Sequence, residues 1–220
     1  MSIKLANSLT IEQVRDMYLY VSDKIIESKP LLTQIDSAIG DGDHGIGMSV
    51  GFSKAKENLE MKDFSTVNEI FKEIGMSMIG SMGGASGVIF GTMFVGGVKA
   101  AEEKKELDTK LLAELFSNSL AAIKKRGKAE LGDKTMIDAL QPAVESLKKS
   151  INEENLSILE AIKNAETAAA DGVENTKDYV AKFGRSKSLG DRAIGHQDAG
   201  ATSVWLIFKG MREWIEKIDN

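Results

Sequence analysis

The chain has 220 residues, with 28 Lys and Arg against 33 Asp and Glu for a net charge of −5. That length suits one large domain, 1–220, with a core of its own, and the acidic balance gives no global basic field, so neither nucleic acid nor an anionic membrane is expected as a partner. Without cysteine there are no disulfides or thiolate metal sites, and without a signal-like N-terminus or an apolar run near the ~20 residues of a membrane span the expected location is the cytoplasm.

In chain order, Ile11, Val14, Met17, Tyr18, Val21 and Ile25 line one face of a predicted helix, with Thr10 and Gln13 spaced as a capping box. Residues 31–39 (LLTQIDSAI) lack both the alternation and the unbroken apolar run of a strand. A helix is predicted near 46–60, and another from Ser65, where Val67, Ile70, Phe71, Ile74 and Met78 recur at helical spacing. The segment 85–102 reads as helix, and Asp108 is placed to cap the next one, striped by Leu111, Leu112, Leu115, Phe116, Leu120 and Ile123. Pro142 falls inside the helical pattern of 134–150, where it kinks the helix or marks its first turn. Ser157 and Glu160 form a second capping box, and Val204, Ile207, Phe208, Met211, Trp214 and Ile215 stripe the last helix. The sum is an all-α chain: about eight amphipathic helices packed as antiparallel neighbours, no convincing strand, no internal repeat and no linker.

Glycine breaks this pattern in four clusters, 40–47, 80–87, 126–133 and 183–200, and its helix cost of up to ~1 kcal/mol relative to alanine assigns such density to loops and helix starts. Both histidines, His44 and His196, fall within them. Gly40, Gly42 and Gly45 satisfy G-x-G-x-x-G, but Asp41 and Asp43 would repel the pyrophosphate that such a loop cradles unless a cation lay between. Asp36, Asp41 and Asp43 put three carboxylates within eight residues, an oxygen donor set for Mg²⁺, Mn²⁺ or Ca²⁺; the bland alternative is an acidic turn in which Asp36 caps a short helix. An EF-hand starting at Asp41 fails, because Ile46 replaces the required glycine and Phe52 the closing glutamate. Mg²⁺ completes its shell with water or phosphate oxygens, so the acids point to a phosphate ligand.

The stretch "GGASG" (83–87) opens a helix whose bare amides, with the Ser86 hydroxyl, make an anion site, although close helix packing explains the same letters equally well. Arg185 and Arg192 are candidate phosphate cations, and the run Lys124, Lys125, Arg126, Lys128 is first of all a complement to a helix C-terminus. His44 is placed to ligate, to bond a phosphate or to carry a proton. No Walker A, H-E-x-x-H or G-x-S-x-G motif occurs. The residues alone lead to Mg²⁺–nucleotide handling in a helical frame.

The ordered set "IGDGDHG", "GGASG", "RGKAELGDKTMID" and "GRSKSLGDRAIGHQDAGATS" closely resembles the nucleotide-binding L subunits of bacterial dihydroxyacetone kinases fed by a phosphoenolpyruvate phosphotransfer chain. The resemblance implies a barrel-like bundle of eight antiparallel helices that holds ADP/ATP with two Mg²⁺ at one end. It implies a coenzyme cycle: a phosphohistidine-carrying phosphotransferase subunit phosphorylates bound ADP, and the ATP phosphorylates dihydroxyacetone, or a related small ketose, on a separate K subunit. Carried over by motif, Asp36, Asp41 and Asp43 become the metal ligands, and His44, Gly45, Ile46, Gly47, Ala85 and Ser86 the phosphate contacts. Gly127, Met136, Asp198, Ala199 and Gly200 become the adenosine pocket, and Arg185 a further nucleotide contact. The chain departs from the family pattern at Gly47 (commonly Asn), Val88 and Ala199 (Pro) and Ser188 (Tyr), which points to a paralogous branch. Three alternatives stay open: an ATP-exchanging ketose kinase subunit, a non-catalytic Mg²⁺–nucleotide sensor acting on a regulator, and a metal phosphohydrolase. Oligomeric state, a homodimer included, is open too.

Overall fold

A computed structural model of the chain describes residues 7–152 and 156–219, and they are almost wholly helical. Helix α1 (Ile11–Glu27) opens on the expected capping box, with the Gln13 amide donating to Thr10 Oγ1 and the Thr10 amide to Gln13 Oε1. Then follow α2 (Lys29–Ile39), α3 (His44–Met61), α4 (Val67–Ser81), α5 (Gly84–Val98), α6 (Thr109–Gly127), α7 (Ile137–Asn152), α8 (Ile158–Asn175) and α9 (Ala199–Asp219). Asp108 caps α6 through the Leu111 amide, and the Ser157–Glu160 box caps α8, both as expected.

Eight of these helices close a ring. In the order α1, α3, α4, α5, α6, α7, α8, α9 each packs on the next, and α9 packs back on α1. The ninth, α2, departs from the sequence-based expectation: Pro30 sits in its first turn, where a missing N–H costs nothing, and its eleven residues bury only Leu32 and Ile39, too few for a legible stripe. It carries the chain from α1 to α3.

The expectation of no strand also needs correction. Strand β1 (Ser8–Thr10) pairs antiparallel with β2 (Glu106–Asp108), three residues each and too short for alternation to show. These strands directly precede α1 and α6, which stand opposite each other in the ring, so the ribbon straps one end of it with Leu9 and Leu107 fully buried. The core inside the ring is aromatic at its centre, where Tyr18 meets Phe71 edge-on at 5.2 Å and Phe116 meets Phe208 at 4.9 Å.

Not all the glycines belong to loops, again unlike the expectation. Gly75 of α4 and Gly91 of α5 face each other, and a Cβ on either would lie 2.7–2.8 Å from the other's carbonyl oxygen. Pro142 lies within α7 rather than in its first turn, and it has no N–H to offer the Asp138 carbonyl one turn earlier. Gly172 of α8 packs directly over that freed carbonyl, and a Cβ there would also come within 2.9 Å of Ala139 Cα. The prolyl defect on one helix is thus matched by a missing side chain on its neighbour. No helix among the described residues is long and apolar enough to cross a membrane.

Candidate functional site

The end of the ring opposite the ribbon opens into a pocket of about 870 Å³, lined where α3, α5 and α9 begin and α4 and α6 end. This alternation of starts and ends is the antiparallel order seen from one end. Every residue carried over by the family resemblance lines the pocket except Gly45. Gly45 lies behind the wall, buried against α2, where a Cβ would come within 2.5 Å of the Lys29 carbonyl oxygen and collide with Thr33. Arg192 and His196 are exposed and outside the lining.

Asp36 comes from the last turn of α2, while Asp41 and Asp43 come from the loop into α3, and one carboxylate oxygen of each lies within 4.8 Å of the others. Two glycines make this convergence possible. A Cβ on Gly40 would strike the Asp36 carboxylate, and Gly42 adopts φ +76. Asp36 Oδ2 accepts the His44 amide at 3.1 Å, so Asp36 serves the start of α3 instead of capping its own helix. Burial and the neighbouring Asp41 and Asp36 charges push the Asp43 carboxyl up, against the pull of Arg185. Three oxygen donors that crowd one another's charge could hold a hard divalent cation. Arg185, carried on Gly184 at φ +68, brings Nε to 2.8 Å of Asp41 Oδ2, but the guanidinium side chain is 78% exposed and the pair is a weak one.

Two helix starts meet the pocket without a side-chain cap: α3 behind Asp43 and α5 behind Gly83. Their first amides have no intrahelical partner, so both ends attract an anion. Helix packing accounts for only part of the "GGASG" stretch. Nothing lies within 4 Å of a Cβ built on Gly83 or Gly84, whereas at Gly87 it would meet Met82. Only the last of these glycines is required by packing.

His44 turns inward. Its Nε2 lies 2.8 Å from Ser203 Oγ on α9, its ring lies 5.8 Å from Phe90, and burial lowers its pKa. Across the pocket, Gly127, Met136 and the start of α9 form a second wall. Asp198 caps α9, accepting the Ala201 amide on Oδ2 at 2.7 Å, and its withdrawal from solvent, with Asp138 nearby, pushes its pKa up to about 7.

In and behind this wall lie residues that sequence reasoning did not single out. Lys134, only 1% exposed, donates its ammonium to the Thr176 and His196 carbonyls, and Asp138 accepts the Gly132 and Thr135 amides. The available signal was a run of charges, Asp133, Lys134 and Asp138, among apolar residues in a stretch noticed for its glycines.

Comparison with known proteins accords with this geometry. The chain belongs to the DAK2 domain family, whose model matches residues 38–213. Among its relatives, the ADP-binding subunit DhaL of the PEP-dependent dihydroxyacetone kinase of Escherichia coli K12 is 39% identical over 202 residues, 92% of this chain and 96% of that one. The DhaL of the PTS-dependent kinase of Lactococcus lactis is 38% identical over 208 residues, 94% of this chain and 99% of that one. The solved dihydroxyacetone kinase of C. freundii, in complex with AMP-PNP and Mg²⁺, superposes with a TM-score of 0.72 at 26% identity over 97% of this chain. The match spans about a third, 36%, of that kinase.

Proposed function

We infer that this chain is the nucleotide-holding subunit of a phosphotransferase acting on dihydroxyacetone or a related small ketose. In this reading bound ADP receives a phosphoryl group from a phosphohistidine on a phosphotransferase-system protein and passes it to a ketose hydroxyl held on a separate K subunit. The relatives named ADP-binding subunits, matched over 96% and 99% of their length, support the subunit role, and the kinase solved with AMP-PNP and Mg²⁺ supports the ligand. A cytoplasmic setting and a single domain belong to the same reading.

The observation that carries it is the meeting of three aspartates and two uncapped helix starts in one pocket. Asp36, Asp41 and Asp43 would hold two Mg²⁺, which supply charge neutralisation and alignment of phosphates. The His44 and Gly47 amides are held by Asp36 Oδ2 and the Asp43 carbonyl, so the α3 start, which spans His44 to Gly47, offers phosphate the amides between them, and the α5 start adds those of Ala85 and Ser86. Gly127, Met136 and the turn Asp198, Ala199, Gly200 receive the nucleoside, and Arg185 adds a cation at the rim. The Asp36–His44 and His44–Ser203 bonds keep the two walls in register, so the protein contributes chiefly position.

The test is to purify the chain without added nucleotide, denature it, and identify the released small molecule by chromatography and mass with magnesium counted in the same sample. Stoichiometric ADP with magnesium supports the retained coenzyme. An empty protein that binds Mg²⁺–ATP reversibly moves the assignment to an ATP-exchanging kinase subunit. A protein that binds neither overturns it.

A further inference from the structure

Lys134 is a buried cation at the edge of the pocket whose ammonium is bonded to backbone carbonyls and not to the aspartate cluster. It follows the turn out of α6 in a left-handed conformation, φ 59, which is uncommon for a residue other than glycine. Its ammonium donates to two carbonyls from different segments: Thr176, where α8 ends, and His196, in the loop that enters α9. Three carboxylates, Asp198, Asp138 and Asp178, face it and favour its charge, while burial opposes it. Thr176 extends the bracket, because its hydroxyl accepts the Asp198 amide at 3.0 Å.

The segments joined in this way carry one wall of the pocket. Met136 stands two residues beyond Lys134, and Gly200 two beyond Asp198. The two meet, since a Cβ on Gly200 would lie 3.4 Å from that of Met136. The acid loop and the α3 start have an anchor of their own in the Asp36–His44 bond, and the His44–Ser203 bond reaches α9 beyond its first turn. We propose that Lys134 is a positioning residue of the nucleoside side of the site: by tying the turn after α6 and the end of α8 to the entry of α9, it sets the slot between Met136 and Gly200, and the grip on the nucleoside half of the ligand depends on it while the grip on metal and phosphates does not. The inference rests on the nucleotide reading above.

The experiment compares the binding of MgADP and of magnesium pyrophosphate by calorimetry. In K134M the dissociation constant for MgADP is expected to rise about tenfold or more, a cost of about 1.4 kcal/mol, while that for magnesium pyrophosphate changes less than about twofold. An equal loss of both ligands, the mark of general loosening, overturns the proposal, as does unchanged MgADP binding. If K134M does not fold because Asp198 is left facing no cation, the D198N/K134M chain is compared with D198N. The same selective gap is expected there, and a gap below about twofold overturns the proposal. A wild-type chain that binds pyrophosphate but not MgADP overturns the nucleotide reading itself.

Discussion

His44 Nε2 and Ser203 Oγ lie 2.8 Å apart and join the first turn of α3 to α9, the two helices that flank α1 in the ring. Ser203 also donates to the Ala199 carbonyl at 3.1 Å, and a hydroxyl has one proton, so the ring nitrogen is assigned as the donor to Ser203. Ser203→Ala removes one partner of a buried imidazole that also lies within hydrogen-bonding reach of the Ala199 carbonyl. The expected cost is about 1 kcal/mol, seen as a lowered midpoint in denaturant unfolding with an unchanged slope.

Asp41 offers its carboxylate both to the acid cluster and to Arg185. Asp41→Ala is expected to weaken Mg²⁺-dependent nucleotide binding by about tenfold or more, the equivalent of at least about 1.4 kcal/mol, with little change in folding stability because the arginine pair is exposed. Calorimetry with and without magnesium checks this, and unchanged binding would remove the metal assignment.

Gly47, where the resemblance implies Asn, stands in a roomy part of the pocket wall. A Cβ there would meet only Met82 Cε, at an ordinary 3.6 Å. Gly47→Asn therefore fits, and its added amide should strengthen the hold on phosphate or metal-bound water. The expected outcome is slower nucleotide release in a stopped-flow displacement assay; an unaltered rate would show that this departure does not weaken the grip.

Gly172→Ala should do the opposite, with effects on stability and not on ligands. Its methyl would press on the Asp138 carbonyl that Pro142 leaves free and on Ala139, forcing α7 and α8 apart. Overpacking of this kind costs about 1–3 kcal/mol, or very roughly 2–12 °C in melting temperature for a domain of this size. Thermal unfolding followed by circular dichroism reads it directly.

Asp198 gives a pH signature. Its folded pKa, about 7, lies above the unfolded carboxylate value near 4, so between those two the folded state keeps a proton that the unfolded state has released. Stability contributed by this group is therefore present at low pH and is lost as the pH rises toward 7. Measured as the difference between wild type and Asp198→Asn, wild-type stability should improve on going from pH 7.5 to 5, and a flat difference would show that Asp198 titrates normally.

The sequence by itself determined most of the helices, three of their caps, and the residue types of the chemistry. Periodicity and capping are local properties, and an acid cluster between glycines is legible because its members lie within eight positions of one another. It did not show α2, whose stripe is too sparse, nor the ribbon, whose strands are 98 residues apart in the chain at Ser8 and Glu106. Tertiary structure alone decided which glycines are hinges and which are contacts: Gly42 needs its backbone angle, while Gly45, Gly75 and Gly172 give room to a neighbouring helix. It likewise decided that His44 faces Ser203 and that Lys134 brackets Thr176 and His196. Those pairings join segments distant in the chain, and only the closure of the ring brings them within bonding reach.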